Sequence, residues 1–180
     1  MMRWPRSSWL LLAPLAACSV VPPPAAPAWL PPALVPFLGD FRGTMRSHGA
    51  AGVQQVPMRL EVATIDGVAD RLRFALHYGE GATAQVRDYR LVVADAAAGR
   101  YLIDEQNGIE LAVLCRDDEL VSVFSVQGQT LVTRYRAVAA GIEFALEAFA
   151  AEQATATGQG VRAVGSFTVQ RALLRRQTGS

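Results

Sequence analysis

The sequence predicts an all-β fold, an antiparallel up-and-down β-barrel of about ten strands, preceded by a signal peptide and a proline-rich linker. Three observations predict it. From Phe37 onward apolar and polar residues alternate in short runs, the period of a strand with one buried face. Glycine and acidic residues interrupt these runs at regular intervals. The interruptions are short, and short turns make neighbouring strands antiparallel. A sheet of this size leaves two exposed edges unless it closes, so closure is expected.

The elements follow in order. Leu38 to Ser47 is the first strand. In the second, Gln55 to Ile65, Met58, Leu60, Val62 and Thr64 alternate with Arg59, Glu61 and Ala63. Asp66-Gly67 turns into the third, Arg71 to Tyr78, where Leu72, Phe74, Leu76 and Tyr78 share a face. Strands are expected at Val86 to Ala94, Arg100 to Glu105, Ile109 to Arg116, Glu119 to Val126 and Thr130 to Val138. Asn107-Gly108 predicts a two-residue type I′ hairpin, because both residues tolerate positive φ. Ile142 to Ala151 alternates and reads as strand, although its alanine and glutamate content suits a helix in its C-terminal half. Val161 to Leu174 is the last strand.

The chain begins with a different pattern. Arg3 and Arg6 give a basic start, Ser7 to Leu15 is apolar, and Ala16 and Ala17 are small. This is the layout of a signal peptide over residues 1–17, and the apolar run is shorter than the roughly 20 residues that cross a bilayer. Leu15-Ala16-Ala17-Cys18 resembles the lipobox of bacterial lipoproteins. The resemblance implies cleavage before Cys18 and lipid attachment to it, with the membrane as a partner. Ser19 is not acidic, which by analogy places the protein at the outer membrane facing the periplasm.

Residues 18–36 form the anchor and linker. Seven of the ten prolines lie between Pro22 and Pro36. Such a segment is a semi-rigid spacer, able to span roughly 55 Å at about 3.1 Å per residue. Trp29, Leu30, Leu34 and Val35 are apolar and are candidates to dock on the domain as a cap. The barrel domain is assigned to residues 37–176, with residues 177–180 as a tail.

Composition excludes several functions. Seventeen basic residues face sixteen acidic ones, a net charge of +1, and loss of Arg3 and Arg6 leaves −1. No cationic excess exists to neutralise phosphates, so nucleic acid is not an expected partner. Every basic residue is arginine. A P-loop lysine, a Schiff-base lysine and a Ser-Lys dyad are therefore absent. Two histidines and one cysteine besides Cys18 do not make a His- or Cys-rich metal site. Cys115 reads as a buried structural thiol. No metal and no cofactor is expected.

At Phe37-Leu38-Gly39-Asp40-Phe41-Arg42-Gly43 the chain shows Gly-x-aromatic at the start of its first strand. With the meander that follows, it resembles the calycin superfamily of lipocalins, fatty-acid-binding proteins and their bacterial relatives. Lipocalins carry tryptophan where this chain has Phe41, and no C-terminal helix is evident. The resemblance implies a barrel that binds a small apolar molecule. A nitrobindin-like relative would bind haem through histidine, and neither His48 nor His77 matches that ligand. Fatty-acid-binding barrels hold the polar head of a ligand with an inward arginine and tyrosines. The candidates here are Arg134, Tyr135, Tyr78, Tyr89 and Phe124, with Arg134 and Tyr135 on opposite faces of their strand. The lumen-facing register stays open.

Three functions are weighed. A lipid-anchored ligand-binding barrel requires a cavity lined by residues such as Phe74, Leu76, Val113 and Phe124. A structural or assembly lipoprotein that binds an envelope protein requires a filled core and an exposed apolar patch. An enzyme requires a titratable pair at the cavity mouth, for which Asp104 or Glu105 with His77 is the candidate. The sequence favours the first and leans away from an enzyme.

Overall fold

A computed structural model of the chain describes residues 26–150, 154–164 and 167–177. The strands are β1 (Gly39–Gly49), β2 (Gly52–Thr64), β3 (Arg71–Tyr78), β4 (Gln85–Asp95), β5 (Arg100–Asp104), β6 (Glu110–Arg116), β7 (Glu119–Val126), β8 (Gln129–Val138), β9 (Gly141–Phe149), β10 (Thr155–Gly158), β11 (Val161–Ala163) and β12 (Phe167–Arg176). Two 3₁₀ turns, Pro32–Phe37 and Gly81–Thr83, are the helical elements among the described residues. Ten strands form a closed antiparallel barrel in sequential order, with β12 pairing between β9 and β1. The short β10 and β11 pair with each other as a separate hairpin.

Closure depends on the β1–β12 seam. Phe41 lies opposite Arg176 and His48 opposite Val169, and the Gln177 N–H donates to the Asp40 carbonyl at 2.8 Å. Two glycines admit the β12 backbone. A Cβ on Gly43 would lie 2.4 Å from the Leu173 carbonyl oxygen, and one on Gly141 would lie 2.0 Å from that of Leu174.

The alternation seen in the sequence becomes the inner wall. Met58, Leu60 and Val62 of β2, Leu72, Phe74 and Leu76 of β3, and Ile142 and Phe144 of β9 all point inward and are buried. Tight turns set the register. Asp117-Asp118, Gln127-Gly128 and Gln159-Gly160 each carry two consecutive positive φ angles, the geometry of type I′ turns.

Asn107-Gly108 does not form the expected two-residue turn. Positive φ falls at Gln106 and Gly108, and the loop is longer, with Glu105 N–H donating to the Ile109 carbonyl at 3.0 Å. Side-chain oxygens stabilise it. Asp104 Oδ1 accepts from Gln106 N–H at 2.7 Å and Asn107 Oδ1 from Ile109 N–H at 3.0 Å. These aspartate and asparagine turns compete with the tight hairpin.

The single strand expected over Val161 to Leu174 is also corrected. β11 turns back through Gln159-Gly160 to pair with β10, and β12 begins afresh at Phe167. The stretch with helical propensity after Ile142 is strand through Phe149, where it pairs on both sides with β8 and β12. Of its C-terminal half, residues 151–153 lie outside the described residues and Thr155 begins β10.

One end of the barrel is capped. The 3₁₀ turn Pro32–Phe37 runs directly into β1 and buries Leu34 and Phe37 completely, with Leu30 6% exposed. Val35 stays exposed, and Trp29 packs against the same cluster. The chain therefore joins the domain before Pro36, because its apolar residues fill the barrel end. Arg176 fastens this cap. Its guanidinium lies 4.5 Å from the centre of the Phe41 ring and donates to the Pro36 carbonyl at 2.9 Å and to that of Leu38. Leu34→Ala is expected to destabilise the domain by about 3 kcal/mol, read as a lowered denaturation midpoint with unchanged slope.

Candidate functional site

The inner wall changes character along the barrel axis. Near the cap, Phe41, Leu60, Leu72, Leu91, Ile142 and Leu174 are fully buried. Toward the other end, the inward residues Val56, Tyr78, Tyr89, Leu111, Phe124, Leu131 and Leu146 are only half-buried, and Ile109 and Val126 are about half exposed. Solvent thus reaches the inner wall at this end, which forms a mouth.

The strand register places a polar group on this wall. Tyr89 lies opposite Phe74, Arg87 opposite Leu76 and Gln85 opposite Tyr78. Since Phe74 and Leu76 point inward, so do Tyr89 and Arg87. The Arg87 Nη1–H donates to the Tyr89 hydroxyl at 3.2 Å. Tyr135 sits deeper, fully inside, edge-on to Phe74 at 5.2 Å and tilted against Phe144 at 5.3 Å. Arg87, Tyr78 and Tyr89 all act on the Tyr135 phenol electrostatically, and Glu105 acts on Arg87 and Tyr89.

Burial pushes the Tyr78 phenol up to about 12 and the Tyr135 phenol well above its ordinary value. Burial also raises Tyr89, opposed by its hydrogen bond from Arg87. All three phenols keep their protons at neutral pH, and the guanidinium keeps its charge. The mouth therefore presents a guanidinium and neutral hydroxyl groups, with the Glu105 carboxylate beside them.

The sequence candidates separate in the fold. Tyr78, Tyr89, Tyr135 and Phe124 face inward. Arg134 faces outward, 3.5 Å from Glu119 and 3.9 Å from Glu147, so it does not join the tyrosines. The inward arginine is Arg87, which sequence reasoning passed over. Its signal was the spacing Arg87-Asp88-Tyr89 in a strand already containing a candidate tyrosine, since residues two apart share a face.

The proposed acid-base pair is not assembled. His77 faces outward beside Glu61 at 3.9 Å, while Asp104 caps Gln106 and Glu105 lies by Arg87. Partial burial, then Arg59, hold His77 below its ordinary range, and its buried Nε2 has no hydrogen-bond partner among the described residues. Cys115 is a free, buried thiol on the inner wall. Among the described residues, no three His, Cys, Asp or Glu side chains converge on a metal position.

One cavity among the described residues is small. Its volume is about 20 Å³, and it lies among Phe74, Ile103, Val113, Leu120, Ser122, Thr133 and Tyr135. That is room for about one water. The expected lining residues Phe74 and Val113 do meet there, but a long apolar chain does not fit that cavity.

The outer surface is divided. Across β1 to β4 it is charged, with Arg59 to Asp40 at 2.8 Å, Arg73 to Glu61 at 2.7 Å, and Arg73 and Arg90 each to Asp88 at 3.0 Å. Across β5 to β8 it carries an aliphatic strip. Leu102 lies opposite Ala112, Leu114 opposite Val121 and Val123 opposite Val132, with Val123 60% exposed.

No family model matches the sequence, and no curated protein does. Among solved structures, the chain is similar to a protein of unknown function from the DUF3598 family of Nostoc punctiforme PCC 73102. The TM-score is 0.52 at 13% identity over 79% of this chain, which spans about half (48%) of that one. The likeness concerns the fold. The chain is thus a ten-stranded antiparallel barrel with a donor-lined mouth.

Titration of the phenols gives a stability signature. A phenol whose folded pKa lies above its unfolded value of 10 favours the folded state below pH 10, and that contribution is lost as pH rises through about 12. For Tyr78 it is on the order of 2–3 kcal/mol. Unfolding between pH 10 and 12, read by tyrosinate absorbance with circular dichroism, is expected to weaken in Tyr78→Phe.

Proposed function

We propose that this is a membrane-anchored lipoprotein whose barrel binds a small amphiphilic ligand with an anionic group in the cell envelope. The single observation that carries the reading is Arg87 at 3.2 Å from the Tyr89 hydroxyl, on the inner wall of the end that solvent reaches. A guanidinium recognises a carboxylate bidentately, and phenols that keep their protons at neutral pH remain donors to it. Leu111, Phe124, Leu131 and Leu146 line the same end and offer an apolar surface to the rest of the ligand. The Gly39-Asp40-Phe41 pattern and the closed meander support kinship with calycins. Leu15-Ala16-Ala17-Cys18 supports lipid attachment at Cys18 and a site on the periplasmic face of the outer membrane.

The ligand's polar group occupies the mouth, because the inward residues nearer the cap are fully buried. Binding is therefore shallow, and affinity depends on Arg87 more than on chain length. Decanoate is expected to bind residues 19–180, with affinity falling about tenfold or more in Arg87→Gln and unchanged in Arg134→Gln. Titration calorimetry reads both. Equal affinity of the Arg87 variant and the parent removes Arg87 from the site.

A second reading has its own observation. The aliphatic strip on β5 to β8 and the fully buried residues near the cap fit a lipoprotein that holds an envelope protein through its outer surface. Under that reading Val123→Asp abolishes in-cell crosslinks from neighbouring positions while leaving decanoate binding intact.

A further inference from the structure

Glu105 stands on the inner wall of the mouth, beside the arginine. β5 ends at Asp104, but the pairing runs one residue further. Asp104 lies opposite Arg90 of β4 and Glu110 of β6, and the Glu105 N–H donates to the Ile109 carbonyl at 3.0 Å. Glu105 thus continues the strand, opposite Tyr89 on one side and Ile109 on the other. Tyr101 and Ile103 are buried in the interior, so by alternation Glu105 points inward as well. It is half-buried, and the Asn107 side-chain amide donates to Glu105 Oε2 at 3.4 Å.

Arg87 and Glu105 share this wall without closing on each other. Arg87 is two residues from Tyr89 on the same face, which makes it the diagonal neighbour of Glu105, at a separation of about 7–8 Å. The guanidinium donates to the Tyr89 hydroxyl at 3.2 Å rather than to the carboxylate. The hydroxyl feels both charges: burial raises the Tyr89 phenol, Arg87 lowers it and Glu105 raises it again. A ligand carboxylate that reaches Arg87 therefore also comes near Glu105, and the like charges repel. A head group with an ammonium beside its anion meets an opposite charge at each position.

We propose that Glu105 sets the specificity of the mouth and selects a zwitterionic amphiphile, a single apolar chain whose head carries an ammonium next to its anionic group. The anion takes the Arg87 guanidinium, the ammonium takes the Glu105 carboxylate, and the chain lies on Leu111, Leu131 and Leu146. This rests on the reading of the mouth as the ligand site. It narrows the ligand from anionic amphiphiles at large to those with a head of no net charge. The preference is modest, because Arg87 is exposed and Glu105 half-buried. An ion pair that solvent reaches changes an affinity by about fivefold or less.

The test is titration calorimetry at neutral pH on residues 19–180, which contain the whole barrel and its cap, with decanoate, decylammonium and 2-aminodecanoate. The parent is expected to bind 2-aminodecanoate about three- to fivefold more tightly than decanoate, and decylammonium more weakly than either. In Glu105→Gln the preference for 2-aminodecanoate disappears and decanoate binds more tightly, a gain that an unfolded variant cannot give. Glu105→Lys reverses the preference. A parent that binds decanoate as tightly as 2-aminodecanoate, or a preference that survives in both Glu105 variants, overturns selection by Glu105 and leaves the Arg87 site standing. Failure of the ligand-site reading looks different. Then neither decanoate nor 2-aminodecanoate binds, or Arg87→Gln binds both as tightly as the parent does, and the selection by Glu105 falls with it.

Discussion

Closure of the sheet is the constraint on which the rest depends. Once β12 pairs with both β9 and β1, each barrel strand has a neighbour on either side, and alternate residues are committed to an interior of fixed volume. The close approach of β12 to its two neighbours explains Gly43 of β1 and Gly141 of β9, which leave room for the β12 backbone where any side chain would collide. It also explains Arg176, which ends β12 facing Phe41 and is placed to hold the entering chain against the barrel end.

Filling that interior is uneven, and the unevenness makes the site. The segment before β1 brings Leu30, Leu34 and Phe37 into one end, so that half behaves as an ordinary core. Nothing equivalent enters the other end among the described residues, and Tyr78, Tyr89 and Arg87 stand there with solvent access. Tyr135 joins the two halves. Its ring packs on Phe74 and Phe144, while the charge of Arg87 acts on its phenol. The outer surface follows a different logic. Its ion pairs on β1 to β4 are half-exposed and contribute modestly to stability, whereas β5 to β8 carry the aliphatic strip.

Much of the fold was legible because a half-buried strand writes its period directly into the sequence. β3 and β7 were expected at their observed bounds, and the turn at Asp117-Asp118 was placed correctly. What escaped were features set by competition between local interactions. Asn107-Gly108 suggests a tight hairpin, yet the side chains of Asp104 and Asn107 stabilise a longer loop. The β10–β11 hairpin was hidden because its residues are all exposed and show no alternation. Which candidate residues face inward was not legible. Alternation separates Arg134 from Tyr135 without saying which faces inward, and only cross-strand pairing with Phe74 and Leu76 identifies Arg87 as the inward arginine.

One barrel end is capped and the other is open to solvent. Nuclear magnetic resonance of the methyl groups of residues 19–180, with a soluble paramagnetic probe in the buffer, tests it most directly. The expected result is strong relaxation of the Leu111, Leu131 and Leu146 methyls, with Leu34, Leu60 and Leu174 protected. Decanoate should then protect the first group alone. Equal protection of both groups without ligand would contradict the open mouth, and equal relaxation of both would contradict the cap.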